Sequence, residues 1–483
     1  MNFFQNRFFG IFAVLAFVLL IYGFFSFYSP ELYGNDSFYH IKLAKIMLDD
    51  GLVPKEFPWM QFTPLNRNFV DKHFLFHLYL IPFTLFEDLA FGLKLANLIL
   101  LSLVFLFFYF LLKENKINHA ELWVIVFALG SESFIYRLLL GRAITLGVLL
   151  FLIGFYLMQK KNYLGIAAVS FIFVWSYAAF PAIALLALSY SFGIYLTKKE
   201  LNGKIFAFCL LGIILGMVIN PFFPDNIILG ISSDLRAATL REPGMSIGEW
   251  NSFSSWSFLI SSLPIIFLLL LLFYFIAFKK SELTAKSREL FLPLLLFLLM
   301  AVKSIRVIDF FVPVAVLFSA FSFNELTKEI KPKKIAALAL ITALFIGMTA
   351  FSTINSLDPE RSSFRECSEW LEKNTPEKSV VFLWQYDDFP MLFYHNTHNY
   401  YTEGLDSYYL KDFNAELFEV KKQIVQENRL ELIKPNFNSN YVFIEKNAGL
   451  KEKINSLKKS GEVKEIHEWK DCVVIELKQK NSN

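Results

Sequence analysis

Asp36 and His40 stand four residues apart in the polar string Tyr33-Gly34-Asn35-Asp36-Ser37-Phe38-Tyr39-His40, directly after an almost wholly apolar run from Phe8 to Tyr28. A carboxylate and an imidazole one helical turn apart can take protons or hold a divalent metal. The apolar run is long enough to cross a bilayer, so the pair would sit at the membrane–water boundary. There a substrate with a lipid end meets a soluble partner. The competing reading gives Asp36 only a helix-capping role. A second set follows at Asp71-Lys72-His73-Phe74-Leu75-Phe76-His77. His73 and His77 share one helix face, either as a metal pair or as polar residues facing headgroups or protein. Cations come next: Arg137 and Arg142, then Lys303 and Arg306 with Asp309 one turn further on. An Arg near a span end is costly without a partner. These residues either clamp phosphate by forked hydrogen bonds or are neutralised internally, by Glu132 or Asp309. The charged segment 223–255, with Glu242 and Glu249, reads as a solvated loop, a lid or a groove.

Composition says what must position them. The chain has 483 residues, is 55% hydrophobic and carries 57 Phe, which points to a polytopic α-helical membrane protein. A net charge of +3 gives no support for nucleic acid as a partner. Apolar runs near 8–28, 90–112, 118–131, 137–158, 163–179, 181–197, 205–222, 256–278, 288–302, 305–323 and 334–354 predict about eleven transmembrane helices. The runs 118–131 and 288–302 are short for a span. The run 73–86 is shorter than a crossing needs and predicts a helix lying in the interface. The first run lacks a small-residue cleavage site and reads as a retained anchor. Lys-rich segments at 113–116, 160–161, 198–204, 279–288 and 328–334 then fall on one side, the cytoplasmic one. This predicts a multi-pass plasma-membrane protein with its N-terminus inside. Segments 29–89, 223–255 and everything after 354 fall outside.

Two domains follow: a transmembrane unit over 1–355 and an extracytoplasmic α/β unit over 356–483. In the latter, a helix ends at Trp370 to Lys373. Strands are expected at Val380 to Trp384, Tyr441 to Glu445 and Cys472 to Leu477, with a helix at Lys451 to Lys459. Cys367 and Cys472 share this unit, but their spacing does not show whether they pair. In the first loop, Phe38, Ile41, Ala44 and Leu48 predict an amphipathic helix over Asp36 to Asp50, closed by Gly51.

The segment Asp36-Ser37-Phe38-Tyr39-His40-Ile41-Lys42-Leu43-Ala44 resembles the DPYYHLRL-type segment of the GT-C membrane glycosyltransferases. The likeness is nearest to the catalytic subunit of archaeal and bacterial oligosaccharyltransferases. The resemblance implies that Asp36 belongs to the first acidic motif, binds a divalent metal and helps activate the acceptor, with His40 and Asp71 beside it. The run from Asp71 to His77 sits where these enzymes place a second juxtamembrane helix. Lys303-Ser304-Ile305-Arg306, then Asp309-Phe310-Phe311-Val312-Pro313, looks like the family's late Arg-containing span. That likeness assigns Arg306 to the donor lipid phosphate, with Lys303, Arg142 and Arg137 as further candidates. Trp370 to Pro376 and Val381 to Asp387 are similar to the run into the WWDYG motif, which reads the acceptor, so Trp384, Tyr386 and Asp387 are implied on the acceptor side.

Three departures stand out. The motif here is Trp384-Gln385-Tyr386-Asp387-Asp388. Gly141-Arg142-Ala143 stands where a second acidic motif is expected. The family's later loop Glu is matched only by Glu242 or Glu249. Metal candidates for Mg2+ or Mn2+ are therefore Asp36, Glu132 and Glu249. The implied activity moves a sugar or oligosaccharide from a polyprenyl-phosphate-linked donor to a protein or glycan acceptor at the bilayer surface. The rival class is a transporter or a flippase of lipid-linked sugars. Such proteins more often show inverted halves, whereas no internal repeat is visible here and the charges gather on one face. Asn35-Asp36-Ser37 fits a glycosylation sequon, read as coincidence.

Overall fold

The longest apolar runs become the longest helices. The computed structural model describes residues 7–200, 202–231, 255–279, 283–326, 332–357, 364–446, 454, 457 and 461–478. In chain order the helices that matter here are α1 (Arg7–Phe27), α2 (Asn35–Asp50), α3 (Phe74–Leu80), α4 (Leu89–Glu114), α5 (Ala120–Leu129), α6 (Glu132–Leu139), α7 (Ile144–Gln159) and α8 (Tyr163–Ser176). Then come α9 (Pro181–Lys198), α10 (Gly203–Val218), α11 (Ala285–Lys303), α12 (Ile308–Leu326) and α13 (Pro332–Ser356).

Five helical stretches among the described residues are long and apolar enough to cross a membrane: Phe8–Phe27, Leu89–Glu114, Pro181–Lys198, Ile305–Leu326 and Lys333–Ser356. A sixth is possible only if α5 and α6 count as one span, and they are bent by 79°. Among the described residues, the expected eleven is therefore not met by length and composition. The runs behind α7, α8 and α10 gave helices of 14 to 16 residues, short of the roughly 20 that cross hydrocarbon along its normal. The single span expected over 137–158 is instead broken between α6 and α7, where Gly141 has φ 61. An L side chain rarely adopts that conformation, so the glycine permits the break.

The two helices expected in the first loop form, with two adjustments. α2 starts behind Gly34, at φ 74, which is its N-cap; Asp36 makes no cap and lies in the first turn. Leu48 is exposed and Met47 is buried. The buried stripe is therefore His40, Leu43, Ala44 and Met47, an i, i+3, i+4, i+7 series. The run 73–86 splits into α3 and a 3-10 turn, Ile81–Leu85, with Pro82 at the turn's start.

The C-terminal residues form a five-stranded sheet. After α14 (Arg365–Asn374) come β1 (Val380–Leu383), α15 (Phe389–His395), β2 (Tyr400–Tyr401), α16 (Ala415–Glu427), β3 (Ser439–Glu445), β4 (Val463–Glu468) and β5 (Cys472–Leu477). The order is β2-β1-β3-β5-β4. β1 is parallel to β2 and β3, and β5 is antiparallel to β3 and β4. The expected helix at 451–459 falls almost wholly outside the described residues.

The first loop stitches the helices to this sheet. Its Pro/aromatic stretch runs beside β2: Gln61 N–H donates to Tyr401 O (2.9 Å), Tyr401 N–H to Trp59 O (2.8 Å) and Phe62 N–H to Thr402 O (3.0 Å). α15 packs on α2 through Phe38 against Tyr394 (ring centroids 5.2 Å apart) and on the Pro/aromatic stretch of the first loop through Phe393 against Phe57 (5.1 Å). Each buried aromatic of this kind contributes roughly 1.5–3 kcal/mol.

Cys367 on α14 and Cys472 on β5 form a disulfide across a separation of 105 residues. Closing so long a loop restricts the unfolded chain, and removing such a bond typically costs about 2–5 kcal/mol. Replacing both cysteines by Ser should lower the denaturant midpoint of the sheet region accordingly, read by Trp fluorescence. A midpoint that stays put, with or without reductant, would show that the bond adds nothing.

Candidate active site

Four breaks in regular structure meet at one place. The first is Gly34, where a Cβ would fall 2.7 Å from the Leu140 side chain. That close approach brings the first turn of α2 against the α6–α7 break. Ser37 fixes it by donating its hydroxyl to the carbonyl oxygens of Tyr33 and Leu140. The second is the turn before α3, where Asp71 Oδ1 accepts the His73 backbone N–H at 2.8 Å. The third is the α6–α7 break itself, which carries Arg142. The fourth is the 3-10 turn Ile305–Val307 between α11 and α12, which carries Arg306.

Together they enclose a cavity of about 420 Å3. The C-terminal unit closes it with Tyr386, Asp387, Leu405, Asp406 and Tyr409. Asn35 Nδ2 donates to Asp387 O at 2.9 Å and ties the two walls together.

Charge is organised inside. Arg142 and Asp36 form an ion pair at 3.0 Å. The Arg306 guanidinium lies 5.8 Å from the Tyr177 ring centroid, a cation–π distance. Lys72 also lines the wall. Asp71 Oδ2 faces His77 Nδ1 at 2.7 Å, and His77 Nε2 faces His40 Nδ1 at 2.7 Å. Burial, then the neighbouring His77, His73 and Arg142, hold the His40 imidazole well below its usual pKa. Burial with His77, Arg306 and Lys72 does the same to His73. On the other wall, burial pushes the Asp387 carboxyl up. Burial and the like charges of Asp387 and Glu445 push Asp388 further. Behind them Lys421, paired with Glu403, is pushed down by burial to about 7 against the pull of Asp388 and Asp387.

Of the residues singled out by sequence, Asp36, His40, Asp71, Arg142, Arg306, Tyr386 and Asp387 all line this cavity. The others are placed elsewhere. Arg137 is bound by Asp309: Nε to Oδ1 at 2.7 Å and Nη2 to Oδ2 at 2.8 Å. The anion expected to neutralise Lys303 or Arg306 thus serves a different cation. Lys303 is exposed at the end of α11. Trp384 is 5% exposed within the sheet core, where a side chain alternating with Leu383 shares the face of Phe382. Glu132 accepts from Ser352 Oγ at 2.7 Å. Glu249 lies outside the described residues.

His77, Tyr39, Tyr177 and Tyr409 join the cavity without having been chosen for it. The i, i+4 spacing of His73 and His77 is the available signal, and it leaves open a metal pair or polar residues facing headgroups or protein. Both His77 nitrogens are engaged, one with Asp71 and one with His40, so no lone pair is left for a metal.

The described residues do not fit a divalent cation in this cavity. Asp36 already has a guanidinium at 3.0 Å, Glu132 points to α13, and Asp71 is committed to His77. Among the described residues, one cluster brings three metal-ligating groups together: Glu465, His467 and Glu476 on β4 and β5. In principle it could hold a divalent ion. It lies on the sheet, not on the cavity wall.

The helical membrane unit with its C-terminal sheet has counterparts among solved structures. The fold is that of an archaeal oligosaccharyltransferase. It matches AglB from Archaeoglobus fulgidus in complex with an inhibitory peptide and a dolichol-phosphate, with TM-score 0.61 and 12% identity over 92% of this chain and 70% of that one. It also matches the A. fulgidus oligosaccharyltransferase tethered to an acceptor peptide with an NVT sequon, with TM-score 0.63 and 13% identity over 92% and 70%. A third match is the same organism's enzyme in complex with Zn and sulfate, with TM-score 0.58 and 12% identity over 89% and 68%. No family model matches the chain. No curated protein matches it by sequence. The expected polytopic helical unit with a C-terminal sheet-bearing unit is therefore met at the level of the fold.

Proposed function

We propose that the chain is a membrane glycosyltransferase moving a sugar or oligosaccharide from a polyprenyl-phosphate-linked donor to an extracytoplasmic acceptor. The observation that carries this reading is the convergence of Asp36, Arg142 and Arg306 on one cavity between membrane helices and a soluble unit. Arg142 and Arg306 would take the donor phosphate, since guanidinium groups bind phosphate by paired, charge-assisted hydrogen bonds. Asp36 holds Arg142 in position and turns its carboxylate toward the acceptor. Tyr386 and Asp387 stand on the acceptor wall. The positive charge beside Asp36 is supplied by Arg142, and no step here is routed through a metal. We read the Lys-rich loops as cytoplasmic, which would put the N-terminus inside a plasma membrane. The Cys367–Cys472 bond suits an oxidising exterior for residues 356–483.

The test is sugar transfer by the purified full-length protein in liposomes, from a panel of radiolabelled polyprenyl phosphate and pyrophosphate sugars. Arg306→Ala should lower kcat/KM by about ten- to a hundredfold, the loss of one charge-assisted contact of about 1.5–3 kcal/mol. Donor-dependent lipid movement without any transfer would replace this reading with a flippase.

A further inference from the structure

The chain of hydrogen bonds from Asp71 through His77 to His40 has a direction. Asp71 uses one oxygen on the His73 N–H and the other on His77 Nδ1. A carboxylate can only accept, so His77 Nδ1 carries a proton, and in the neutral ring Nε2 bears the lone pair. His40 Nδ1, 2.7 Å from that lone pair, must donate. His40 Nε2 is then an acceptor, and it has no hydrogen-bond partner among the described residues. His40 lines the cavity. The geometry is held firmly: Asp71, His77 and His40 are 4%, 0% and 5% exposed. Phe76, Tyr39 and His73 pack edge-on to the His40 ring at 5.4 to 5.5 Å. A purely structural tie between α2 and α3 would need nothing beyond the bond that joins the two rings. It would not need an imidazole nitrogen left as acceptor toward the cavity, beside a buried carboxylate that fixes the tautomers.

We propose that Asp71, His77 and His40 form a proton relay whose outer atom, His40 Nε2, deprotonates a hydroxyl acceptor. The proposal deepens the glycosyl-transfer reading and rests on it. In the step, the acceptor oxygen bonds to the anomeric carbon of the donor sugar. Its proton passes to His40 Nε2. The bond from that carbon to the lipid phosphate oxygen breaks, and its electron pair leaves on the phosphate. The Nδ1 proton of His40 moves to His77 Nε2, so the new positive charge rests beside the Asp71 carboxylate. The proton later leaves to water, and nothing is oxidised or reduced. His40 is the catalytic residue, and His77 and Asp71 are positioning residues. A hydroxyl becomes acidic as its oxygen forms the new bond, so even an imidazole weakened by burial can take its proton when the charge is passed on to His77 beside Asp71. An amide nitrogen has its lone pair delocalised into the carbonyl and gains little from such a base. The groups that set the relay's titration are His73, His77, Asp71 and Arg142, with Asp36, Lys72, Arg306 and Tyr177 around the same cavity.

The experiment uses the full-length protein in liposomes with the donor that supports transfer. Three acceptor classes are compared: simple sugar alcohols, an acidic hydroxyl (4-nitrophenol) and an asparagine-sequon peptide. The wild type should use the hydroxyls. His40→Gln should lose about 10²–10⁴-fold in kcat on the alcohol, with the donor KM unchanged. It should lose far less on 4-nitrophenol, which needs little help to ionise. Asp71→Asn should lower kcat and move the acid limb of the pH–rate profile. A misfolded variant would lose both acceptors alike, so the ratio between them reads the base itself. Equal losses on both hydroxyls in a variant that keeps the wild-type donor KM, or a wild type that uses only the sequon peptide, would overturn the relay. No transfer by the wild type to any acceptor would instead overturn the glycosyl-transfer reading beneath it.

Discussion

Arg137→Ala should destabilise the protein by about 3–5 kcal/mol, among the largest single effects in the helical unit. Arg137 and Asp309 face each other through two hydrogen bonds of 2.7 and 2.8 Å, with side chains 4% and 0% exposed. Removing the guanidinium takes both of these charge-assisted hydrogen bonds from a carboxylate buried between α6 and α12. The loss of their compensation for its desolvation is where the cost arises. The pair itself contributes little beyond what a well-packed apolar pair would, because two charges had to be taken out of water to make it. Arg137→Met combined with Asp309→Leu should therefore recover most of the loss. Thermal unfolding in detergent checks both variants. The same double variant should retain donor binding, since Arg137 does not line the cavity. A single variant melting with the wild type would show that the pair is not a structural element. Loss of donor binding in a well-folded double variant would return Arg137 to a phosphate-binding role.

The sequence displays its ionisable residues clearly but not their partners. Asp36, His40, Asp71, Arg142 and Arg306 are conspicuous because each interrupts or borders an apolar run, and all reach the cavity. Which charge meets which depends on how helices far apart in the chain pack. Arg137 and Asp309 are 172 residues apart, so Glu132, close in sequence, looked the better partner. Hydropathy also hides the site's most useful break. The run 137–158 reads as one span, yet it turns at Gly141 and delivers Arg142 to Asp36. Strand β1 was legible from its apolar run, and its alternation, applied one residue further, puts Trp384 beside Phe382 in the core and not on the acceptor wall. The Pro/aromatic stretch of the first loop gave no hint that Trp59 to Phe62 would pair with β2. Main-chain pairing at a sheet edge leaves little trace in side-chain type.

Asp36→Asn should cut sugar transfer by about 10²–10³-fold, a size typical for loss of a preorganised charge at a reacting centre. The substitution keeps the shape and one oxygen but removes the charge that holds Arg142 at 3.0 Å. Both the guanidinium that would receive the phosphate and the carboxylate turned to the acceptor are then out of place. Arg142→Ala acts from the other side. It removes the guanidinium from beside Asp36 where the phosphate arrives, so the donor KM should rise steeply. That variant also carries a signature of its own. With the Arg142 charge gone, millimolar Mn2+ or Mg2+ should restore part of the activity by offsetting the negative charge of Asp36 and the phosphate. The wild type, whose cation is built in, should transfer equally well in EDTA. Assays of the two proteins with and without divalent ions decide the matter. Wild-type activity lost in EDTA would show that a metal supplies the charge assigned to Arg142. The contrast with His40→Gln is also informative: an acidic acceptor should not rescue Asp36→Asn, because the missing element there is a fixed charge and not a proton acceptor.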